Sequence, residues 1–272
     1  MNRVRLLLSY VMGFISAILI TGLALILLVK SMSDKNYILS VMKENNYYEQ
    51  INDEIKEEME LALLSTGFTE EILENIYDKE EVVNDLNTFI DNLYEGKKTV
   101  LEKENIYQKI KENILDYTKK TNLEVTNQKD VEAFIKDLVG IYENEICHYN
   151  FLDSLSGILP KITKMTNSIV LIISILLIIN IALVIIIKAW NFGASLMASG
   201  LMVLFIQIFI FEKIDADSLL IITEKFSLIL QKILRNLQSN IYLIGFGLIL
   251  VGIIVTVMET MCQHKKLKQL NY

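Results

Sequence analysis

The chain has 272 residues, 52% of them apolar, a formal net charge of −7, and only two cysteines, two histidines and one proline. Two cysteines exclude a disulfide framework, and the acidic balance counts against nucleic acid, whose phosphates it would repel. One proline with eleven glycines leaves too few turn residues for a strand-rich fold, so the predicted class is all-α.

The apolar residues are unevenly placed. Leu6–Val29, Ile169–Ile187, Ala194–Phe211 and Ile241–Met261 each approach or exceed the ~20 residues that cross a bilayer core. The first run is longer than the roughly 7–15 apolar residues of a signal peptide and is followed by no A-x-A-like site. It reads as a retained anchor with its outer end at Lys30-Ser31-Met32-Ser33.

From Ser33 the apolar spacing becomes that of amphipathic helices. Ser33 is a candidate N-cap for a short stripe of Ile38, Val41 and Met42. Tyr48, Ile51, Ile55, Met59 and Ala62 continue to Gly67, read as a helix stop. Thr69 precedes a brief helix with Ile72, Leu73 and Ile76. Asp78-Lys79-Glu80-Glu81 has the form of a capping box opening a helix with Val82, Leu86, Phe89, Ile90 and Leu93, which Gly96 ends. Ile106, Ile110, Ile114 and Tyr117 mark another, closed near Asn122. Val131, Phe134, Ile135, Leu138, Ile141 and Tyr142 mark the last, extended toward Phe151. Five or six such helices suffice for one core.

The last third carries the other three runs. Between the third and fourth, Leu219, Ile222, Phe226, Ile229, Leu230, Ile233 and Leu237 form an apolar stripe behind Asp217, a candidate N-cap. It reads as a helix in the membrane interface or docked on the preceding domain. Ala194 with Ala198, Ser195 with Ser199, and Gly245 with Gly252 place small residues on shared faces for close packing. The intramembrane polar residues are Asn180, Gln207 and, near the inner end, Glu259.

Flanking charge sets the expected orientation. Arg3, Arg5, Lys188, Lys265, Lys266 and Lys268 sit at the two termini and the second turn, whereas Ser31 to Met165 holds 15 Lys against 28 Asp and Glu, a net of −13. By the positive-inside rule both termini are cytoplasmic and the acidic segment is outside. The expected architecture is therefore a cytoplasmic tip and first span (1–30), an acidic helical extracytoplasmic domain (31–165), spans at 166–188 and 191–211, an extracytoplasmic amphipathic helix (212–240), a fourth span (241–261) and a basic cytoplasmic tail (262–272).

Chemistry is sparse. Glu145-Ile146-Cys147-His148 holds one Glu-x-x-His step, whereas a di-iron bundle needs two and further carboxylates. Glu143, Cys147 and His148 match no metal spacing, and His264 is expected across the membrane. Neighbours Cys147 and His148 diverge by about 100° on a helix and form no nucleophile pair. No H-E-x-x-H, G-x-S-x-G or phosphate loop occurs. No catalytic, cofactor-binding or metal-binding residue is therefore assigned. Cys147 reads as a free buried thiol, a bridge between two copies being the alternative.

Ser33-Asp34-Lys35-Asn36-Tyr37, Asn46-Tyr47-Tyr48-Glu49, Gly67-Phe68 and Tyr94-Glu95-Gly96-Lys97 resemble segments of uncharacterised Gram-positive bacterial membrane proteins. In that group an N-terminal span precedes a helical outer domain and further spans. The resemblance covers about the first 100 residues and implies a bacterial cell membrane, but no activity. The expected role is a non-catalytic scaffold whose outer domain engages a protein or cell-envelope partner, with a homo-oligomer left open. The alternative is a small transporter or channel component using Glu259 and Gln207.

Overall fold

The structure is a computed structural model that describes residues 3–122, 127–147, 159–187, 191–214 and 224–270. Among the described residues there is no strand. The α-helices are α1 (Arg3–Met32), α2 (Lys35–Glu44), α3 (Tyr47–Leu63), α4 (Lys79–Glu95), α5 (Glu104–Thr121), α6 (Gln128–Cys147), α7 (Leu159–Ile187), α8 (Phe192–Phe209) and α9 (Glu224–Leu270), with 3-10 turns at Glu70–Leu73 and Phe211–Lys213. Two compact units result: Met1–Tyr37 with Thr163–Tyr272, and Ile38–Ile162.

The helical unit follows its sequence pattern closely. Ile51, Ile55 and Met59 of α3, Val82, Leu86, Phe89, Ile90 and Leu93 of α4, Ile106, Ile110 and Ile114 of α5, and Ile135, Leu138 and Tyr142 of α6 are all buried. Each full burial of such a side chain stabilises by about 1.5–3 kcal/mol. The caps are partly as expected. Asp78 Oδ1 accepts the Glu81 amide at 2.7 Å, and Gly96 closes α4 in the left-handed conformation, φ 70°. Asn122, φ 50°, closes α5.

Other local expectations shift by a few residues. The cap of α2 is Asp34, whose Oδ1 accepts the Asn36 amide at 2.9 Å, where Ser33 was expected. The buried stripe of α3 runs Tyr47, Ile51, Ile55, Met59, Leu63, so Tyr47 and Leu63 take the places expected for Tyr48 and Ala62. That helix stops at Leu63 rather than Gly67, because the Thr66 hydroxyl donates to Leu63 O at 2.8 Å and the Ser65 hydroxyl to Ala62 O at 3.4 Å. Thr69 makes no side-chain cap, and the helix it was expected to open is only a 3-10 turn. Asn113 of α5 holds that turn, its amide donating to Ile72 O at 3.0 Å and Glu74 O at 2.9 Å.

The second unit contains the four helices long and apolar enough to cross a membrane: Arg3–Met32, Pro160–Ile187, Phe192–Lys213 and Ser227–Cys262. The last differs from expectation. The interfacial helix and the fourth span form one 47-residue helix, Glu224–Leu270. Gln238-Ser239-Asn240 contains no Gly or Pro to break it. Instead Asn240 Nδ2 donates back to Asn236 O at 2.9 Å, and Gln238 Nε2 donates to Phe211 O at 2.8 Å and Ile214 O at 3.2 Å, covering the carbonyls beyond α8. The expected cap Asp217 and the start of the stripe, Leu219 and Ile222, lie outside the described residues, as do His148, Phe151 and Lys188.

Candidate functional site

Helix α8 is the centre of the spanning unit. On one side it meets α9 through glycines seven residues apart. A Cβ on Gly200 would lie 2.6 Å from Gly245 O, and one on Gly252 would lie 2.9 Å from Gly193 O. The pairs cross over, so the helices are antiparallel and their backbones touch. Gly245 and Gly252 are expected on a packing face; Gly193 and Gly200 carry the same seven-residue spacing and supply the matching face of α8.

On the other side α8 meets α1 along a polar seam. Asn191 Nδ2 donates to Ser9 Oγ at 2.6 Å, and Thr21 Oγ1 donates to Ser199 Oγ at 3.1 Å. A Cβ on Gly13 would lie 3.2 Å from Ser195 Oγ. Beyond the seam, Leu28 and Met32 pack with Val203 and Ile241. Ser195 and Ser199 are buried as expected. Ala194 and Ala198 border a hollow of about 340 Å³ beside Ser9 and Phe14.

Asn180, Glu259 and Gln207, polar residues of the long apolar helices, have separate surroundings. Asn180 of α7 accepts the Ser16 hydroxyl at 2.5 Å. Glu259 of α9 accepts the Phe192 amide at 3.0 Å, so this carboxylate caps the first turn of α8, where negative charge is favoured. Arg5 of α1 does the converse for α7, its Nε donating to Ile187 O at 2.7 Å. Gln207 is 1% exposed, and its Oε1 has no hydrogen-bond partner among the described residues. The start of α1, the end of α7, the start of α8 and the Glu259 turn of α9 thus share one end of the bundle.

Glu143 is ion-paired with Lys103, Cys147 is buried without exposure, and His148 is not described. Among the described residues no three His, Cys, Asp or Glu are placed to hold a metal. Burial raises the tyrosines that line the core. Tyr142 is pushed far up by burial and then by its hydrogen bond to Asp85, 2.8 Å. Tyr77, 5.3 Å from the Tyr142 ring, is pushed up to about 12 by burial, then by Asp53 and Glu60. These are core residues, whereas Tyr48 at the surface donates to Asn87 at 2.9 Å.

A concave feature of the helical unit lies between α3 and the segment that follows it. Two adjoining hollows, about 610 and 640 Å³, meet across Glu60, Glu70 and Glu71. Met59, Leu73, Ile76 and Tyr77 floor the first, and Leu63, Leu64 and Phe68 line the second. Phe68 is held between Tyr117, 5.9 Å edge-on, and Phe134, 6.0 Å stacked. Leu64, off the buried α3 stripe, lines the second hollow and is 81% exposed.

The fold and these features define a class: a helical protein with four membrane-crossing-length helices and a separate helical unit inserted between the first and second. Comparison with protein-family models, curated proteins and solved structures finds no match to the chain.

Proposed function

We propose that the protein is a multi-pass membrane anchor whose helical unit lies outside the cytoplasm and binds a protein or cell-envelope partner. The observation that carries this reading is the use to which the span's polar groups are put. Asn180 is engaged by Ser16 and Glu259 by a backbone amide, so both serve helix packing. The trough of the helical unit, with Leu64 exposed at its edge, offers a surface for recognition. Orientation rests on the charge asymmetry, net −13 in the inserted segment against basic flanks. Shared placement of the Arg5 and Glu259 ends agrees with four crossings.

Topology is tested with thiols. In a Cys262→Ser background, a membrane-impermeant maleimide applied to intact cells is expected to label Glu57→Cys, an exposed position on α3. Wild-type Cys262 is expected to label only after the cells are opened. Labelling of Cys262 alone in intact cells would reverse the orientation and end the proposal.

One observation favours the transporter alternative: the unpartnered, buried Oε1 of Gln207. Buried polar groups in spans are costly and are kept for a task. In a packing role Gln207→Leu is neutral or stabilising by about 1 kcal/mol, read as the unfolding temperature in detergent. In a transport role the same variant stays folded and abolishes a flux in reconstituted vesicles. The anchor reading expects the first result and no flux from the wild type.

A further inference from the structure

The trough between α3 and the Glu70–Leu73 turn selects among partners by shape and charge. Its floor is apolar, and Leu64 at its edge is 81% exposed. Its rim carries five acids, Glu60, Glu70, Glu71, Glu74 and Asp78, against two lysines, Lys56 and Lys79. Glu60 pairs with Lys56 at 3.5 Å, a pair that is largely exposed and so worth little. Glu70, Glu71 and Glu74 have no ion pair among the described residues. The C-terminal end of α3 points its negative dipole here with no basic residue in its last turn. Asp53 and Glu60 act on the Tyr77 ring at the floor, a sign of the local negative potential.

We propose that this trough receives a Lys/Arg-rich amphipathic helix of a partner protein, with large apolar side chains in the hollows and basic side chains against Glu60, Glu70, Glu71 and Glu74. This rests on the reading of the protein as an anchor for a partner. Three other occupants fit less well. A second copy brings a helical unit that is itself strongly acidic. An anionic bilayer surface is repelled by the same rim. A divalent cation lacks a gathered set of ligands. A basic helix satisfies rim and floor together, its apolar anchors supplying the affinity and its charges the specificity and on-rate.

The experiment uses the full chain in a non-ionic detergent and a fluorescein-labelled peptide of about 12 residues, long enough for a helix of ~18 Å. It carries Leu at two positions three apart and Lys on the remaining faces. Binding is read by fluorescence anisotropy against empty micelles. The expected result is saturable binding that Glu70→Lys with Glu71→Lys weakens at least about tenfold. Added salt is expected to weaken binding to the wild type in the same direction. The Gln pair at the same positions weakens binding less and guards against misfolding, which circular dichroism also reports. Leu64→Ser is expected to weaken binding while leaving the salt dependence unchanged. Glu57→Lys with Glu58→Lys, the same charge change on exposed positions of α3, is expected to leave affinity within about twofold.

Equal loss in that control would reduce the effect to net charge and overturn the trough. So would absence of saturable binding, or equal binding by the Glu70/Glu71 variants. The anchor reading fails differently. A stoichiometric partner captured alike by wild type and by Glu70→Lys/Glu71→Lys removes the trough and keeps the anchor. Peptide binding lost in that variant, with no partner held in native membranes, keeps the trough's chemistry and removes the anchor.

Discussion

Asp85 shows how one side chain couples the helical unit to pH. It is half-buried on α4 and accepts the Tyr142 hydroxyl at 2.8 Å. Burial raises its carboxyl above the ordinary 3.8, the Tyr142 hydrogen bond opposes this, and Glu102 adds to it. The folded state therefore holds this proton more tightly than the unfolded chain. The contribution is fully present below pH 3.8 and is lost as pH rises through the folded value. Asp85→Asn should lose this part of the pH dependence, so its denaturant midpoint gains on the wild type as pH rises above 3.8. Tyr142→Phe should cost about 1 kcal/mol by leaving the carboxylate without its donor and should shift the acid transition of the wild type upward. Equal pH profiles for Asp85→Asn and wild type would contradict this account.

At the scale of elements, the α8–α9 pair is held by contact between backbones, and side-chain volume there decides stability. Gly200→Ala brings a methyl to within 2.6 Å of Gly245 O and 2.7 Å of Ile249 Cγ1. It should destabilise by about 1–3 kcal/mol, read as a lower unfolding temperature in detergent. Gly247 on the same α9 has nothing within 4 Å of an added Cβ, so Gly247→Ala should be neutral or stabilising by up to about 1 kcal/mol. The helices of the inserted unit are legible because their stripes repeat at helical spacing, and the ends of α4 and α5 carry an Asp cap, a left-handed Gly and a left-handed Asn. The join between the stripe after α8 and the fourth span was not. The polar run Gln238-Ser239-Asn240 interrupts the apolar pattern, but the Gln238 side chain finds acceptors just beyond α8, which only the tertiary arrangement supplies, and Asn240 finds one within α9. The trough was equally hidden, since Leu64 and Glu71 become neighbours only after the chain turns between Leu63 and Glu70.

For the molecule as a whole, the two thiols report on different things. Cys147 is fully buried in the helical unit and Cys262 is exposed on α9. A native, detergent-solubilised sample should therefore take up one maleimide promptly. The second thiol should react only as the helical unit unfolds, at a rate that follows denaturant concentration. Prompt reaction of both would show that the α6 end is open in solution. Burial also removes the native route to a bridge between copies through Cys147, which sequence alone had left open.

The clamp at the Arg5 end has a bearing on how the protein is made. Ile187 O is met by a residue synthesised 182 positions earlier, whereas the Phe192 amide waits for a carboxylate 67 positions later. As the chain emerges N-terminus first, α7 can be finished on entering beside α1. Helix α8 enters with its leading amide still lacking this acceptor and its glycine face bare. The pairing of α8 is therefore completed only once α9 has been made, and the Glu259 clamp closes later in synthesis than the Arg5 one.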